Sequence, residues 1–135
     1  MILLNDFFSI RELQCETGQI QAVLKINADH QILTGHFPGF PVMPGVCMMQ
    51  IAREVFEEAT GVSVRIVKGD NIKFLAVLNP VEHPDIKLFI THEGVADEYV
   101  ITATLFSIDG GKNSGQPLTF FKFKGLYREE ISLAR

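Results

Sequence analysis

The chain has 135 residues, of which 47% are hydrophobic and 21% are charged. This length and apolar content supply one core, so we expect residues 1–135 to form a single domain rather than a disordered chain. Twelve Lys and Arg residues stand against sixteen Asp and Glu residues. The resulting net charge of -4 argues against a nucleic-acid-binding protein, because the surface that contacts phosphates normally makes such a domain basic.

Cysteine content and apolar runs bear on the cellular location. Cys15 and Cys47 are too few for a disulfide framework and do not have the spacing of a zinc finger. No run of about 18 apolar residues is present to span a bilayer. Asn5 and Asp6 interrupt the apolar start of the chain, where a secretion signal would continue. We therefore expect a cytoplasmic protein without a membrane span.

The first predicted elements are two strands. Residues 19–27 alternate apolar and polar side chains, which is typical of a strand with one buried face. Residues 7–15 form a weaker strand candidate, joined to it by a turn at Thr17 and Gly18. A loop of about eighteen residues follows, and a loop of that length inside a compact domain is usually functional.

A helix is predicted between Pro44 and Gly61, because proline is favoured at the first helical position and glycine just past the end. Apolar side chains share one arc of the helical wheel: Met48, Met49, Ile51, Ala52, Val55, Phe56 and Ala59. Polar side chains share the opposite arc: Gln50, Arg53, Glu54, Glu57 and Glu58. This amphipathic pattern predicts a helix that buries one face.

Four strands are predicted after the helix, at residues 62–77, 86–91, 98–108 and 118–127. The first has an expected irregularity at residues 68–70, and the second is expected to end in a turn at residues 92–94. Two strands, one buried helix and four further strands predict an α+β fold. In it, an antiparallel sheet of about six strands wraps around one long central helix.

The proline-rich loop contains the residues best suited to chemistry. Three of the six prolines lie within seven residues: Pro38, Pro41 and Pro44. They restrict the backbone around His36, whose imidazole is the commonest general base at neutral pH. The helix start at Gly45 and Val46 offers unpaired backbone N–H groups and a positive dipole end, which suit an oxyanion. A base beside an oxyanion site indicates enolate chemistry or acyl transfer; the alternative for His36 is a packing or turn role.

Residues 35–46 read GHFPGFPVMPGV. This segment resembles the signature loop of the 3-hydroxyacyl-acyl carrier protein dehydratases of fatty acid synthesis, of the FabZ and FabA type. The family pattern GHFPG-x-P-x-MPG is matched at every defined position. A looser similarity continues through residues 68–80, and the strand order agrees over essentially the whole chain. The resemblance implies a hot dog fold and a dimer with its sites at the subunit interface.

The resemblance also implies roles for residues of the loop and the helix start. His36 would remove the C2 proton of a 3-hydroxyacyl thioester. The backbone N–H groups of Gly45 and Val46 would hold the thioester carbonyl as it gains enolate character. Three residues of the motif would lie at the mouth of the acyl tunnel: Phe37, Phe40 and Met43.

The helix departs from the family pattern at one position. In the family, an acidic residue on the central helix of the other subunit helps the 3-hydroxyl leave as water, and Gln50 occupies that position here. An amide can form a hydrogen bond with the departing hydroxide but cannot protonate it. Family members tend to have Gln at the position of Glu54, so we expect Glu54 to reach the site in place of the family's acid. The alternative is that Glu54 belongs to a solvated polar arc with Glu57 and Glu58.

The resemblance implies substrates carried on the phosphopantetheine arm of acyl carrier protein, and no metal or diffusible cofactor. Docking of an acidic carrier protein on a net-acidic enzyme requires a local basic patch on the enzyme surface. The candidates are Lys68, Lys73, Lys122, Lys124 and Arg128.

The expected activity is dehydration of such 3-hydroxyacyl thioesters to trans-2-enoyl thioesters, in fatty acid or related lipid or polyene synthesis. A homodimer or a larger oligomer is the expected assembly. Two alternatives remain open. The chain could be a catalytically impaired subunit that binds acyl thioesters or pairs with an acid-bearing dehydratase as a heterodimer. It could also be a hot dog thioesterase, which would direct water at the thioester carbonyl.

Overall fold

The computed structural model describes residues 2–34, 41–110 and 116–130, with residues 109 and 110 described by their backbone alone. In chain order the elements are β1 (Phe8–Glu16), β2 (Gln19–Ile26), a 3-10 turn (Gln31–Leu33), α1 (Gly45–Thr60), β3 (Val64–Phe74), β4 (Asp85–Val95), β5 (Glu98–Gly110) and β6 (Pro117–Glu129). The order of two strands, one long helix and four strands agrees with the order predicted from the sequence.

The six strands form one antiparallel sheet in the order β1-β2-β4-β5-β6-β3. The helix α1 contacts β1, β2, β3 and β4 on one face of this sheet. The expected α+β architecture, in which an antiparallel sheet wraps around one central helix, is therefore confirmed. The strands β1 and β3 lie at the two edges of the sheet.

The core lies between the helix and the inner face of the sheet. The alternation in β2 buries every second side chain: Ile20, Ala22, Leu24 and Ile26. Their neighbours in β4 are also buried: Ile86, Leu88 and Ile90. The helix contributes its apolar arc: Cys47, Met48, Ile51, Ala52, Val55 and Phe56. Burying one such Ile, Leu or Phe side chain stabilises the fold by about 1.5–3 kcal/mol, so this pairing of faces sets the architecture.

Both ends of α1 have the residues that its sequence predicts. Pro44 is the N-cap, one residue before the first helical position, with φ -62° and ψ 143°. Gly61 ends the helix at φ 74°, a left-handed conformation that costs glycine little because it has no Cβ. No helix in the described part of the chain is long and apolar enough to cross a membrane.

The predicted turn at residues 92–94 is wrong. The strand β4 continues through these residues to Val95 and stays in register with β5, with Gly94 opposite Tyr99. The turn comes later, where Ala96 has φ 58°. The sequence signal at Gly94 misled because pairing with β5, a tertiary contact, outweighs the weak strand preference of glycine. By contrast, the irregularity expected at residues 68–70 is confirmed by shifts in register between β3 and β6.

Candidate functional site

The start of α1 presents backbone donors that the helix itself does not use. The first N–H groups of any helix lack intrahelical acceptors, and Pro44 makes no side-chain hydrogen bond that would cap them. The carbonyl of Pro44 accepts from Cys47 N at 3.0 Å, which begins the helical ladder one turn later. Gly45 and Val46 thus lie where an anion would meet backbone donors and the positive end of the helix dipole. Their role in holding a thioester carbonyl stays a prediction.

An aromatic ring covers the first residue of the helix. A Cβ at Gly45 would lie 2.6 Å from the ring of Phe74, so a larger residue here would displace that ring. The Phe74 ring also stacks on Phe121 with the ring centroids 5.4 Å apart, although 54% of Phe74 stays exposed. The sequence did not single out Phe74, because its contact with Gly45 joins the end of β3 to the helix start.

An apolar groove of about 410 Å³ begins at the helix start and follows the chain beyond β3. Its lining includes Val42, Met43, Gly45, Met48, Phe74 and the segment 75–78. Met43 is 2% exposed, and its backbone N–H donates to the Leu78 carbonyl at 2.9 Å. Met43 therefore lies beside the helix start, and its expected role at a tunnel mouth stays a prediction. His36, Phe37 and Phe40 lie outside the described residues, and their expected roles stay predictions.

Glu54 lies in a different environment from the one expected of a polar arc. Its side chain is 6% exposed, so the alternative of a solvated arc with Glu57 and Glu58 is wrong for Glu54. The carboxylate accepts from the backbone N–H groups of Leu3 and Leu4, in the segment before β1. It also accepts from Gln50 Nε2 at 2.8 Å. Whether Glu54 supplies a proton to the substrate stays a prediction.

The other titratable side chains near the helix are buried or pack against other protein groups. Burial raises the pKa of the Cys47 thiol, which suits a packing residue better than a nucleophile. Burial lowers the pKa of His92, whose ring packs edge-on against Phe56 at 5.4 Å. The His30 ring contacts Asp6 at 3.0 Å and accepts from Ile32 N. Within residues 2–34, 41–110 and 116–130, no three His, Cys, Asp or Glu side chains are grouped as a metal site requires.

Ion pairing separates the basic candidates into two groups. Lys68 pairs with Asp70 at 3.2 Å, and Arg128 donates to Glu98 from Nε at 3.0 Å. The other three candidates, Lys73, Lys122 and Lys124, lie on the outer face of β3 and β6. Lys73 stands directly opposite Lys122, and Lys124 follows two residues later in β6. We call these three lysines the lysine patch. No ion pair to any of them occurs among the described residues.

Comparison of the sequence with protein families gives one match over most of the chain. Residues 12–108 match the family model ApeI-like, described as ApeI dehydratase. The chain is 27% identical over 118 residues to a 3-hydroxyacyl-acyl-carrier-protein dehydratase FabZ of Latilactobacillus sakei, covering 82% of this chain and 83% of that protein. It is also 27% identical over 135 residues to the FabZ of Polaromonas naphthalenivorans, covering 98% of this chain and 81% of that protein.

Solved structures share the fold at lower sequence identity. A chain of the dehydratase heterocomplex ApeI:P from Xenorhabdus doucetiae superimposes with a TM-score of 0.64 and 16% identity, over 88% of this chain and 96% of that one. An uncharacterized protein from Erwinia carotovora subsp. atroseptica gives a TM-score of 0.62 and 16% identity, over 88% and 92%. These similarities, together with the six-stranded sheet around one helix, confirm the hot dog fold.

Proposed function

Because this chain belongs to the ApeI-like dehydratase family, we propose that it converts 3-hydroxyacyl thioesters to trans-2-enoyl thioesters. The observation that carries the proposal is the intact motif GHFPG-x-P-x-MPG, which places His36 shortly before a helix start with unused N–H donors. In this reaction His36 takes the C2 proton, and the electron pair moves toward a thioester carbonyl held by Gly45 and Val46 N–H groups. The C3–O bond then breaks, the C2=C3 bond forms, and the hydroxyl leaves as water. The step needs neither a metal nor a diffusible cofactor.

The apolar groove supports an acyl substrate. It starts at Gly45, where the thioester carbonyl would be held, and Met43 and Met48 form part of its wall. A chain of methylene groups gains about 0.8 kcal/mol for each group buried in such a groove. We therefore propose that the acyl chain lies along this groove.

The test is a product analysis with purified protein and a trans-2-enoyl thioester. We expect addition of water to give the 3-hydroxyacyl thioester, because hydration is the reverse of dehydration and uses the same groups. Release of free thiol would instead identify a hot dog thioesterase. Binding without either product would contradict the enzymatic proposal and identify an acyl-binding subunit.

We propose that the working assembly is a dimer formed through the edge strand β3. Large apolar side chains are exposed along this edge and just beyond it: Ile72 (44%), Phe74 (54%), Leu75 (53%) and Val77 (58%). An exposed edge with apolar side chains is a template for pairing with another strand. A second copy of the chain is the favoured occupant, because it would also bring a second helix start to the interface. The ApeI:P structure is described as a heterocomplex, so a heterodimer is the second candidate.

Replacing Val77 with aspartate is expected to convert the dimer to monomer, because the charge would be buried in an apolar interface. Sedimentation velocity measures the result. Val95→Asp is the matched control, since Val95 is 69% exposed and lies at the end of β4, away from β3. A wild-type protein that sediments as a monomer, or a Val77→Asp variant that stays dimeric, would contradict the assignment. A dimer that forms only with a second dehydratase-like chain would identify the heterodimer.

The lysine patch is the proposed docking surface for an acidic acyl carrier protein. Like charges directly opposite each other in a sheet are destabilising, yet Lys73 stands opposite Lys122 in a chain of net charge -4. An acidic partner would neutralise this repulsion and be steered toward the patch. Fatty acid or related lipid synthesis is the setting in which such a carrier delivers 3-hydroxyacyl groups, and the expected cytoplasmic location is consistent with it.

Reversing the charge at Lys122 and Lys124 together, with glutamate at both positions, is expected to lower kcat/KM by about 10-fold or more for a carrier-linked substrate at low salt. Activity on a short pantetheine thioester should stay unchanged, because that substrate has no acidic carrier to dock. The control is the double variant Lys25→Glu with Lys87→Glu, which makes the same charge change elsewhere on the sheet. Equal losses with both substrates, or equal losses in both variants, would show that the patch does not dock the carrier.

A further inference from the structure

Glu54 is a buried carboxylate that accepts from three N–H donors. Its Oε1 accepts from Leu3 N at 2.9 Å and from Leu4 N at 2.7 Å. Its Oε2 accepts from Leu3 N at 2.9 Å and from Gln50 Nε2 at 2.8 Å. The single Leu3 N–H is shared between the two oxygens, so three N–H groups supply these contacts to a carboxylate that has about four acceptor positions. Burying a charge is costly unless donors compensate it, so this arrangement accounts for a glutamate that is 6% exposed.

The segment before β1 is folded so that its donors meet this carboxylate. The Leu3 carbonyl accepts from Phe7 N at 2.7 Å and from Asp6 N at 3.1 Å, which closes a tight turn. Leu3 and Phe7 are 1% and 0% exposed, so apolar burial holds the turn against the core. The turn leaves two consecutive backbone N–H groups, those of Leu3 and Leu4, directed at Glu54.

Glu54 also determines which way the amide of Gln50 faces. The two residues are one helical turn apart, so their side chains are neighbours on the helix surface. An ionised carboxylate can only accept hydrogen bonds, so the amide must turn its nitrogen toward it. Reversing the amide would place Gln50 Oε1 against Glu54 Oε2, two acceptors in contact. Gln50 is therefore held in one orientation, at the position where the family has its acid.

We propose that Glu54 is a positioning residue, which orients the amide of Gln50, and that Gln50 contacts the 3-hydroxyl of the substrate. This inference rests on the proposed dehydratase function. Glu54 could deliver a proton to the substrate only by giving up a contact with one of its three donors, whereas Gln50 is half-buried on the arc that includes the exposed Val46. The proton that completes the departing water is then the one that His36 has taken from C2. This balances the step without an acid on the helix.

The test compares Glu54→Gln with the wild type, with Glu58→Ala as the control on an exposed residue of the same helix. In Glu54→Gln, the new Oε1 keeps the bonds from Leu3 and Leu4, so the new amide nitrogen faces Gln50. Two donors would then meet, so the bond that orients Gln50 toward position 54 is lost. We expect kcat to fall about 10- to 100-fold, because a misoriented group no longer assists departure of the 3-hydroxyl. KM should change little, because the rest of the substrate-binding site is unaltered.

The pH profile distinguishes positioning from proton donation. If Glu54 only positions Gln50, the rate of Glu54→Gln follows the same pH dependence as that of the wild type, at a lower level. If Glu54 is the acid, the wild-type kcat falls at high pH, and Glu54→Gln lacks that decrease. The second result would overturn the inference, and so would full activity of Glu54→Gln.

A readout independent of turnover separates this inference from the proposed function. The side-chain amide of Gln50, assigned in a 15N–1H spectrum by its loss in Gln50→Ala, should be shifted by its bond to the carboxylate. We expect the signal to move in Glu54→Gln and to stay in place in Glu58→Ala, even if the wild type shows no dehydratase activity. An unmoved Gln50 signal in a folded Glu54→Gln variant would overturn the inference.

Discussion

Replacement of His36 by alanine is expected to lower kcat/KM for dehydration by about 10²- to 10⁴-fold, the usual contribution of a general base. His36 is the proposed acceptor of the C2 proton, and water has neither the position nor the basicity to replace it. In the mechanism inferred above, the same imidazole returns the proton to the leaving hydroxyl, so its loss removes both transfers. The rate of hydration of a trans-2-enoyl thioester measures the effect.

His83→Ala is the matched control for this variant. The His83 ring packs edge-on against Phe120 with the centroids 5.4 Å apart, so its loss tests the removal of an imidazole that has a packing contact. We expect His83→Ala to keep nearly full activity. Activity in His36→Ala close to that of the wild type would exclude His36 as the base. It would also contradict the proposal that the motif at residues 35–46 supplies the catalytic groups.

Exchange of Gln50 and Glu54, in the double variant Gln50→Glu with Glu54→Gln, is expected to raise kcat for dehydration by about 10²-fold or more. The exchange puts a carboxyl group where the family has its helix acid. The new amide at position 54 can accept from the backbone N–H groups of Leu3 and Leu4 through its oxygen, and its nitrogen can donate to the new carboxylate at position 50. The hydrogen bonds that hold the N-terminal segment therefore persist, and only the position of the acid changes.

The single variant Glu54→Gln is the reference for this exchange, because it has an amide at both position 50 and position 54. We expect the order of activity to be double variant, wild type and Glu54→Gln, from highest to lowest. Thermal denaturation should give a similar Tm for the double variant and the wild type. A double variant no faster than the wild type would show that protonation of the leaving group does not limit this enzyme.

Several features of the fold could be predicted because they depend on neighbouring residues. The alternation in β2 and the amphipathic arc of α1 predict which side chains are buried, and Pro44 and Gly61 predict the ends of the helix. Gly94 shows the limit of such signals. A glycine after a histidine and a glutamate has the composition of a turn, but ten consecutive pairs between β4 and β5 extend the strand through it.

The lysine patch shows a second limit, since its members come from two strands far apart in sequence. Composition alone did not separate Lys73, Lys122 and Lys124 from Lys68 and Arg128. The register of β3 against β6 brings Lys73 directly opposite Lys122, and ion pairs with nearby carboxylates set Lys68 and Arg128 apart. Register depends on the whole sheet, so no local pattern could have placed Lys73 opposite Lys122.

The family motif, the fold class and the departure at Gln50 are all readable from the amino-acid sequence, because each is written in residues that are adjacent or regularly spaced. The surroundings of Glu54 are not readable in this way. Its helical position suggested either an acid at the site or a solvated side chain, and neither possibility includes the N-terminal turn. Leu3 lies 51 residues away in the chain, and only the folded structure brings its backbone N–H to the carboxylate. The burial and the hydrogen bonds of Glu54 depend on this long-range contact with the N-terminal segment, which the spacing of residues along the helix does not predict.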